Sequence, residues 1–110
     1  MSHTLKSGAK RNEHAPGYHL IPATAIRREA QRMSQGAKDH GDFNWRKGIN
    51  DPEWIKECYN HLTEHLLKWA AGDDPGDDHL AAIRCGAAFL MASEESDPEA
   101  IEIAMRPPEP

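Results

Sequence analysis

Several things are scarce in this 110-residue chain, and each scarcity excludes something. There is no apolar run of membrane-spanning length and no signal-peptide pattern, so a soluble, cytoplasmic protein without a membrane partner is expected. Only two cysteines occur, Cys58 and Cys85, at a spacing unlike any metal knuckle. They read as reduced, half-buried small hydrophobes. Positive charge is short: 13 Lys and Arg against 18 Asp and Glu, a net charge of −5. Strong duplex binding wants a basic face, so nucleic acid is disfavoured as a partner. Apolar residues are 38% of the chain, thin for a lone compact core, and a homo-oligomer is the expected remedy.

Charge is also unevenly placed. Lys6, Lys10, Arg11, Arg27, Arg28, Arg32, Lys38, Arg46 and Lys47 precede Asp51, and acidic residues dominate after it. Such asymmetry suits a small polyanion near the basic half and a cation near the acidic half.

Residues 1–19 lack helical or strand periodicity and read as an extended N-terminal arm. Residues 20–106 read as a single all-α domain, a small bundle of three to four helices. Pro22 suits a first helical position, and Ile26, Ala30, Met33 and Ala37 share one face. Asp51, Pro52 and Glu53 start a second helix, whose apolar stripe is Ile55, Cys58, Leu62, Leu66 and Trp69. Gly72 is placed to end it. "DDPG" is turn chemistry, and Asp77 is placed to cap a third helix running to about Ser93. Ala81, Ala82, Ala88 and Phe89 lie off that helix's main stripe, which adds to the case for an oligomer. "SDPEA" repeats the start signal for a short helix over roughly 98–105.

Residues 61–80, "HLTEHLLKWAAGDDPGDDHL", hold the densest chemistry. His61 and His65 are four apart on one helix face, a spacing that can bind a transition metal. His79 stands at the start of the next helix. Helical rise puts His65 and His79 about 7 Å apart along the axis, so one ion reaches both only through side-chain reach or a water. Asp73, Asp74, Asp77 and Asp78 are oxygen donors suited to Mg²⁺ or Mn²⁺. The plain alternative is a solvated turn with an N-cap. In "NWRKG", Trp45 can stack on a base while Arg46 and Lys47 meet phosphate, or Trp45 can plug the bundle. In "SGAKR", Gly8 permits close backbone approach, and Lys10 and Arg11 supply charge, without Walker spacing.

Taken together, the segments "SGAKR", "GYHLIP", "GAKDHGDFNWRKGI", "EHLLKWAAGDD" and "DHLAAIRCGAAFL" resemble a phage and bacterial family, the dATP/dGTP diphosphohydrolase N-terminal domain. The resemblance covers about residues 7–93. It carries over to Gly8, Ala9 and Arg11, to Pro22, to Gly36, Ala37, Asn44, Trp45, Lys47 and Gly48, and to His65, Gly72, an aspartate of 73–78 and His79. Three positions depart from the family pattern. His40 stands where tyrosine is usual, Glu64 replaces an arginine, and Ala82 replaces a second histidine. His61 and Glu64 offer new ligands on the same helix.

The resemblance implies a nucleotide pyrophosphohydrolase-like protein acting on purine deoxynucleoside triphosphates, in the host cytoplasm if phage-encoded. The expected metal is Mg²⁺ or Mn²⁺, with Asp77, Asp78 and His61 as metal residues and His65, Glu64 and His79 as ligands or general base. Gly8, Arg11, Asn44, Trp45 and Lys47 would hold the nucleotide. Two alternatives stand beside it: a non-catalytic phage protein that sequesters a signalling nucleotide, and a self-assembling adaptor.

Overall fold

A computed structural model describes residues 2–12 and 15–106, with the backbone alone at 2, 3, 11 and 12. Four helices make up most of it: α1 (Ala23–His40), α2 (Pro52–Ala71), α3 (His79–Ser96) and α4 (Pro98–Met105). The fold is all-α, with one addition in the arm. Strands β1 (Ser2–Thr4) and β2 (Lys10–Asn12) pair antiparallel, with His3 opposite Arg11. Turn chemistry makes this hairpin, not strand periodicity. Gly8 takes a φ of 92°, a conformation that costs glycine little. Its N–H donates to the Leu5 carbonyl (2.8 Å), and Leu5 N–H donates to Ala9 (2.7 Å).

The helix starts follow their local signals, with two one-residue shifts. Pro22 has an extended ψ of 124°, so it caps α1 from outside and the helix begins at Ala23. Asp78, not Asp77, caps α3, accepting from Ala81 N–H at 3.1 Å. Asp51 and Asp97 cap α2 and α4 through Glu53 N–H (3.0 Å) and Ala100 N–H (3.1 Å). A proline opens each of those two helices, where no N–H is needed. Gly72 ends α2 at a φ of 75° while Asp73 N–H reaches back to Lys68 (2.9 Å).

Helix α3 is central and packs on α1, α2 and α4. That position accounts for two of its four apolar residues off the main stripe, Ala81 and Ala82, which are buried within this one chain along with Cys85 and Gly86, while Ala88 and Phe89 are half-buried. At Gly86 a Cβ would lie 3.1 Å from Leu62, so α2 and α3 cross closely there. The core is small. Ile55 is fully buried, with Ala100 and Ala104 beside it and Trp54, Leu90, Ile101 and Met105 around them. Phe89 stands between two tryptophans, with centroids 6.4 Å from Trp45 and 5.4 Å from Trp54.

The expected stripe of α2 is covered only in part. Ile55 is buried, Cys58 and Leu62 are half-buried, and Leu66 and Trp69 are exposed. The reason is length: α4 has eight residues, too few to cover a twenty-residue helix. The radius of gyration is 18.2 Å, against about 13 Å for a compact domain of this size. Among the described residues, no helix is long and apolar enough to cross a membrane.

Candidate functional site

The α2–α3 connection folds back beside the end of α2, so His79 comes alongside His65 instead of beyond it. The expected 7 Å axial gap therefore closes between side chains. Their Nδ1 atoms are 2.9 Å apart. His65 Nε2 lies 3.2 Å from His61 Nε2, and His79 Nε2 lies 2.7 Å from the Asp73 carbonyl. His65 and His79 are 5% and 4% exposed, so these contacts are the main polar partners the rings have.

The carbonyl sets the order of protons. It can only accept, so His79 carries its proton on Nε2 and turns a lone pair outward on Nδ1. Without an ion, His65 then donates from Nδ1 to His79, and His61 donates from Nε2 to His65. Burial is the main cause that pushes His65 below its ordinary pKa, followed by the neighbouring His61, and so keeps it neutral.

Asp77 Oδ2 lies 3.9 Å from His65 Nδ1. Among the described residues, His65, Asp77 and His79 form a group able to hold a metal, with donor atoms within 4.8 Å of one another. The other Asp77 oxygen pairs with Arg32 at 2.5 Å, and that guanidinium holds the carboxyl below its usual range. Asp78 is committed differently. Arg28 grips both its oxygens at 2.6 and 2.8 Å, and Asp78 caps α3 as well. The Arg28 hydrogen bond is the main cause that lowers its pKa to about 2. Lys68 pairs with Asp74 at 3.2 Å.

The charge asymmetry of the sequence thus ends in pairing: α1 lays Arg28 and Arg32 against the acidic turn. Neither arginine was among the expected site residues. Their signal was present as an i, i+4 pair facing two adjacent aspartates. Trp69 was also missed, because it reads as core. It is 53% exposed and walls a cleft of about 400 Å³ with Arg28, Asp77, Asp78, His79 and Leu80. That volume lies within the range of small-molecule sites.

The remaining expected residues lie elsewhere. Glu64 is exposed on α2 and is absent from the histidine contacts. Asn44, Trp45 and Lys47 form a 3-10 turn, with Trp45 half-buried against Phe89. Phe89 is ten residues from His79, about 15 Å along α3. Arg46 lies over the Phe43 ring at 4.0 Å. Gly8 is in the hairpin turn, exposed. The Arg11 side chain lies outside the described residues. Gly48 has a packing role, since a Cβ there would come within 2.3 Å of Trp54. Both cysteines are free, and burial pushes the Cys58 thiol up to about 11, far from a nucleophilic thiolate.

The donor set can be tested against the expected ions. Two imidazole nitrogens and one carboxylate suit Mn²⁺ and later transition ions, whereas Mg²⁺ prefers oxygen.

A helical domain with a histidine-aspartate group beside an open cleft is the class this geometry defines. The family model for dATP/dGTP diphosphohydrolase, N-terminal, matches residues 6–102, and the chain belongs to that family. No curated protein and no solved structure matches it.

Proposed function

We propose that the protein is a nucleotide diphosphohydrolase-like enzyme acting on purine deoxynucleoside triphosphates in the cleft beside the α2–α3 turn. The single observation that carries this reading is the cleft of about 400 Å³ bordered by His79, Asp77 and Arg28 in a member of this family. Arg28 would meet substrate phosphate at the cleft wall, and Trp69 would offer an aromatic face to the base. His65, Asp77 and His79 would hold a divalent ion. When bound, such an ion supplies phosphoryl polarisation and a water of lowered pKa. His61 and the Asp73 carbonyl would keep the two ligand imidazoles oriented.

The test is incubation of the full chain with a nucleotide panel and Mn²⁺ or Mg²⁺, followed by chromatography. Pyrophosphate and a nucleoside monophosphate are expected from dATP or dGTP, and Asp77→Asn should reduce the yield at least tenfold. Binding with the nucleotide recovered intact would favour the sequestering alternative. That alternative draws support from Asp77 and Asp78, whose charges arginines already compensate.

Self-association is part of the same reading. The accessible surface is 8546 Å², while a monomer of 12.3 kDa exposes about 6,100 Å². The excess, about 2,400 Å² per chain, is about three times what a standard interface removes from one partner and reaches the range of large permanent ones. Tyr59, Leu66 and Leu67 on α2 are exposed apolar residues suited to it. Light scattering of the full chain should give a multiple of 12.3 kDa at micromolar concentration.

A further inference from the structure

We infer that His65, Asp77 and His79 bind one transition-metal ion of the Mn²⁺-to-Zn²⁺ series in preference to Mg²⁺. The inference names the ion of the site proposed above and in that respect rests on that reading. Its physical basis is separate from any nucleotide.

The first argument is spacing. Two nitrogens bound to one ion at about 2.1 Å lie about 3.0 Å apart at an octahedral angle and about 3.4 Å apart at a tetrahedral one, so a small opening of the pair admits either. His65 Nδ1 and His79 Nδ1 are 2.9 Å apart, with both rings buried. Asp77 Oδ2 is 3.9 Å from His65 Nδ1, and its carboxylate is 40% exposed, so it can rotate inward.

The second argument is the outer partners. Metal-bound histidines donate their other N–H to a carbonyl or similar acceptor. His79 already does so, from Nε2 to the Asp73 carbonyl at 2.7 Å. His65 can do so once its proton moves from Nδ1 to Nε2 and the exposed His61 moves its own from Nε2 to Nδ1, so that His61 Nε2 accepts at 3.2 Å. That shift frees a lone pair on His65 Nδ1, facing the lone pair of His79 Nδ1. No hydrogen bond is lost except the one the ion replaces. Arg32 holds Asp77 Oδ1 and leaves Oδ2 for the ion.

The third argument is chemistry. Imidazole suits the later ions of the series, Fe²⁺ to Zn²⁺, most and Mn²⁺ least, whereas Mg²⁺ demands oxygens and keeps its waters. Two of the other carboxylates of the turn are already engaged: Asp78 is gripped by Arg28 and Asp74 is paired with Lys68.

The experiment uses the full chain, stripped with a chelator and dialysed, without nucleotide. Co²⁺ is titrated while its visible d–d absorption is followed. Melting temperature is measured with Co²⁺, Zn²⁺, Mn²⁺ and Mg²⁺. A Co²⁺ spectrum of nitrogen and oxygen ligation is expected, saturating at one ion per chain. Zn²⁺ or Co²⁺ at 100-fold excess over Kd should raise melting by about 5 °C or more, and Mg²⁺ should leave it unchanged. Asp77→Asn keeps the side-chain shape and should weaken Co²⁺ binding at least tenfold. His61→Ala, at an exposed position, should weaken it about tenfold through the lost orientation of His65. Without metal, Asp77→Asn should melt close to the parent chain and His61→Ala somewhat below it, since His65 Nε2 loses its partner. The absence of a Co²⁺ spectrum, equal binding by Asp77→Asn, or stabilisation by Mg²⁺ equal to that by Zn²⁺ would each overturn the inference. Ion binding without pyrophosphate release would remove the hydrolase reading and leave this one standing. Turnover with Mg²⁺ and no Co²⁺ site would do the reverse.

Discussion

The two ends of helix α3 are built on opposite principles. Near Ser93 the chain is held by apolar contact: Ile55, Ala100 and Ala104, with Trp45 stacked on Phe89 and Trp54 tilted against it nearby. Near His79 it is held by polar groups that satisfy one another: three imidazoles, a carbonyl and two arginine–aspartate pairs. Apolar burial is tolerant of detail, whereas a buried polar network is costly unless every member has a partner. A protein has little reason to bury His65 and His79 at the end of a helix hairpin for stability alone. The difference sets an apolar scaffold at one end against the polar candidate site at the other.

Substitutions can break each end separately. The largest effect is expected from Ile55→Ala. It leaves a cavity in the smallest part of the core and should cost about 2–5 kcal/mol in urea denaturation, with Co²⁺ affinity of the folded fraction unchanged. Trp45→Ala comes next, at about 2–3 kcal/mol, because its ring stacks on Phe89. Nucleotide affinity in the surviving fold decides whether Trp45 also reaches a ligand, as the sequence suggested. Gly48→Ala forces the Trp54 ring to move and should cost about 1–3 kcal/mol.

The histidine end should answer to pH instead. Burial lowers the His65 pKa in the folded chain, so the unfolded chain takes up the proton first as pH falls. Its contribution to stability is full above about pH 6.5 and declines below it. Metal-free melting temperature measured between pH 7.5 and 5.5 should therefore fall, and Ile55→Ala should show the same pH slope. Asp78 loses its contribution in a lower window, from about pH 4 as pH falls toward 2, since its folded pKa is about 2. The smallest effect is expected from Asp78→Asn near neutral pH. Asparagine caps as well as aspartate, and a partly exposed Arg28 pair is worth about 1 kcal/mol or less.

The elements were legible because their signals are local. Asp51-Pro52, Gly72 and Asp97-Pro98 act on backbone within one turn, and each does what its residue type implies. The N-terminal hairpin was not legible, since a glycine turn makes it without period-two patterning. At the site, His65, Asp77 and His79 were visible as residue types crowded into twenty positions. Their order of contact was not visible. It depends on how seven connecting residues fold back along α2, which no periodicity encodes.

Sequence alone therefore determined the helices, their caps to within one residue and the residue kinds gathered at one turn, because propensity and capping are short-range. Tertiary structure alone decided which of those residues meet. It paired Asp78 with Arg28, left Asp77 Oδ2 beside His65, and put Trp45 on Phe89 about 15 Å from His79. Those outcomes follow from α1 and α2 packing against α3, and long-range packing is set by the whole chain rather than by any one segment.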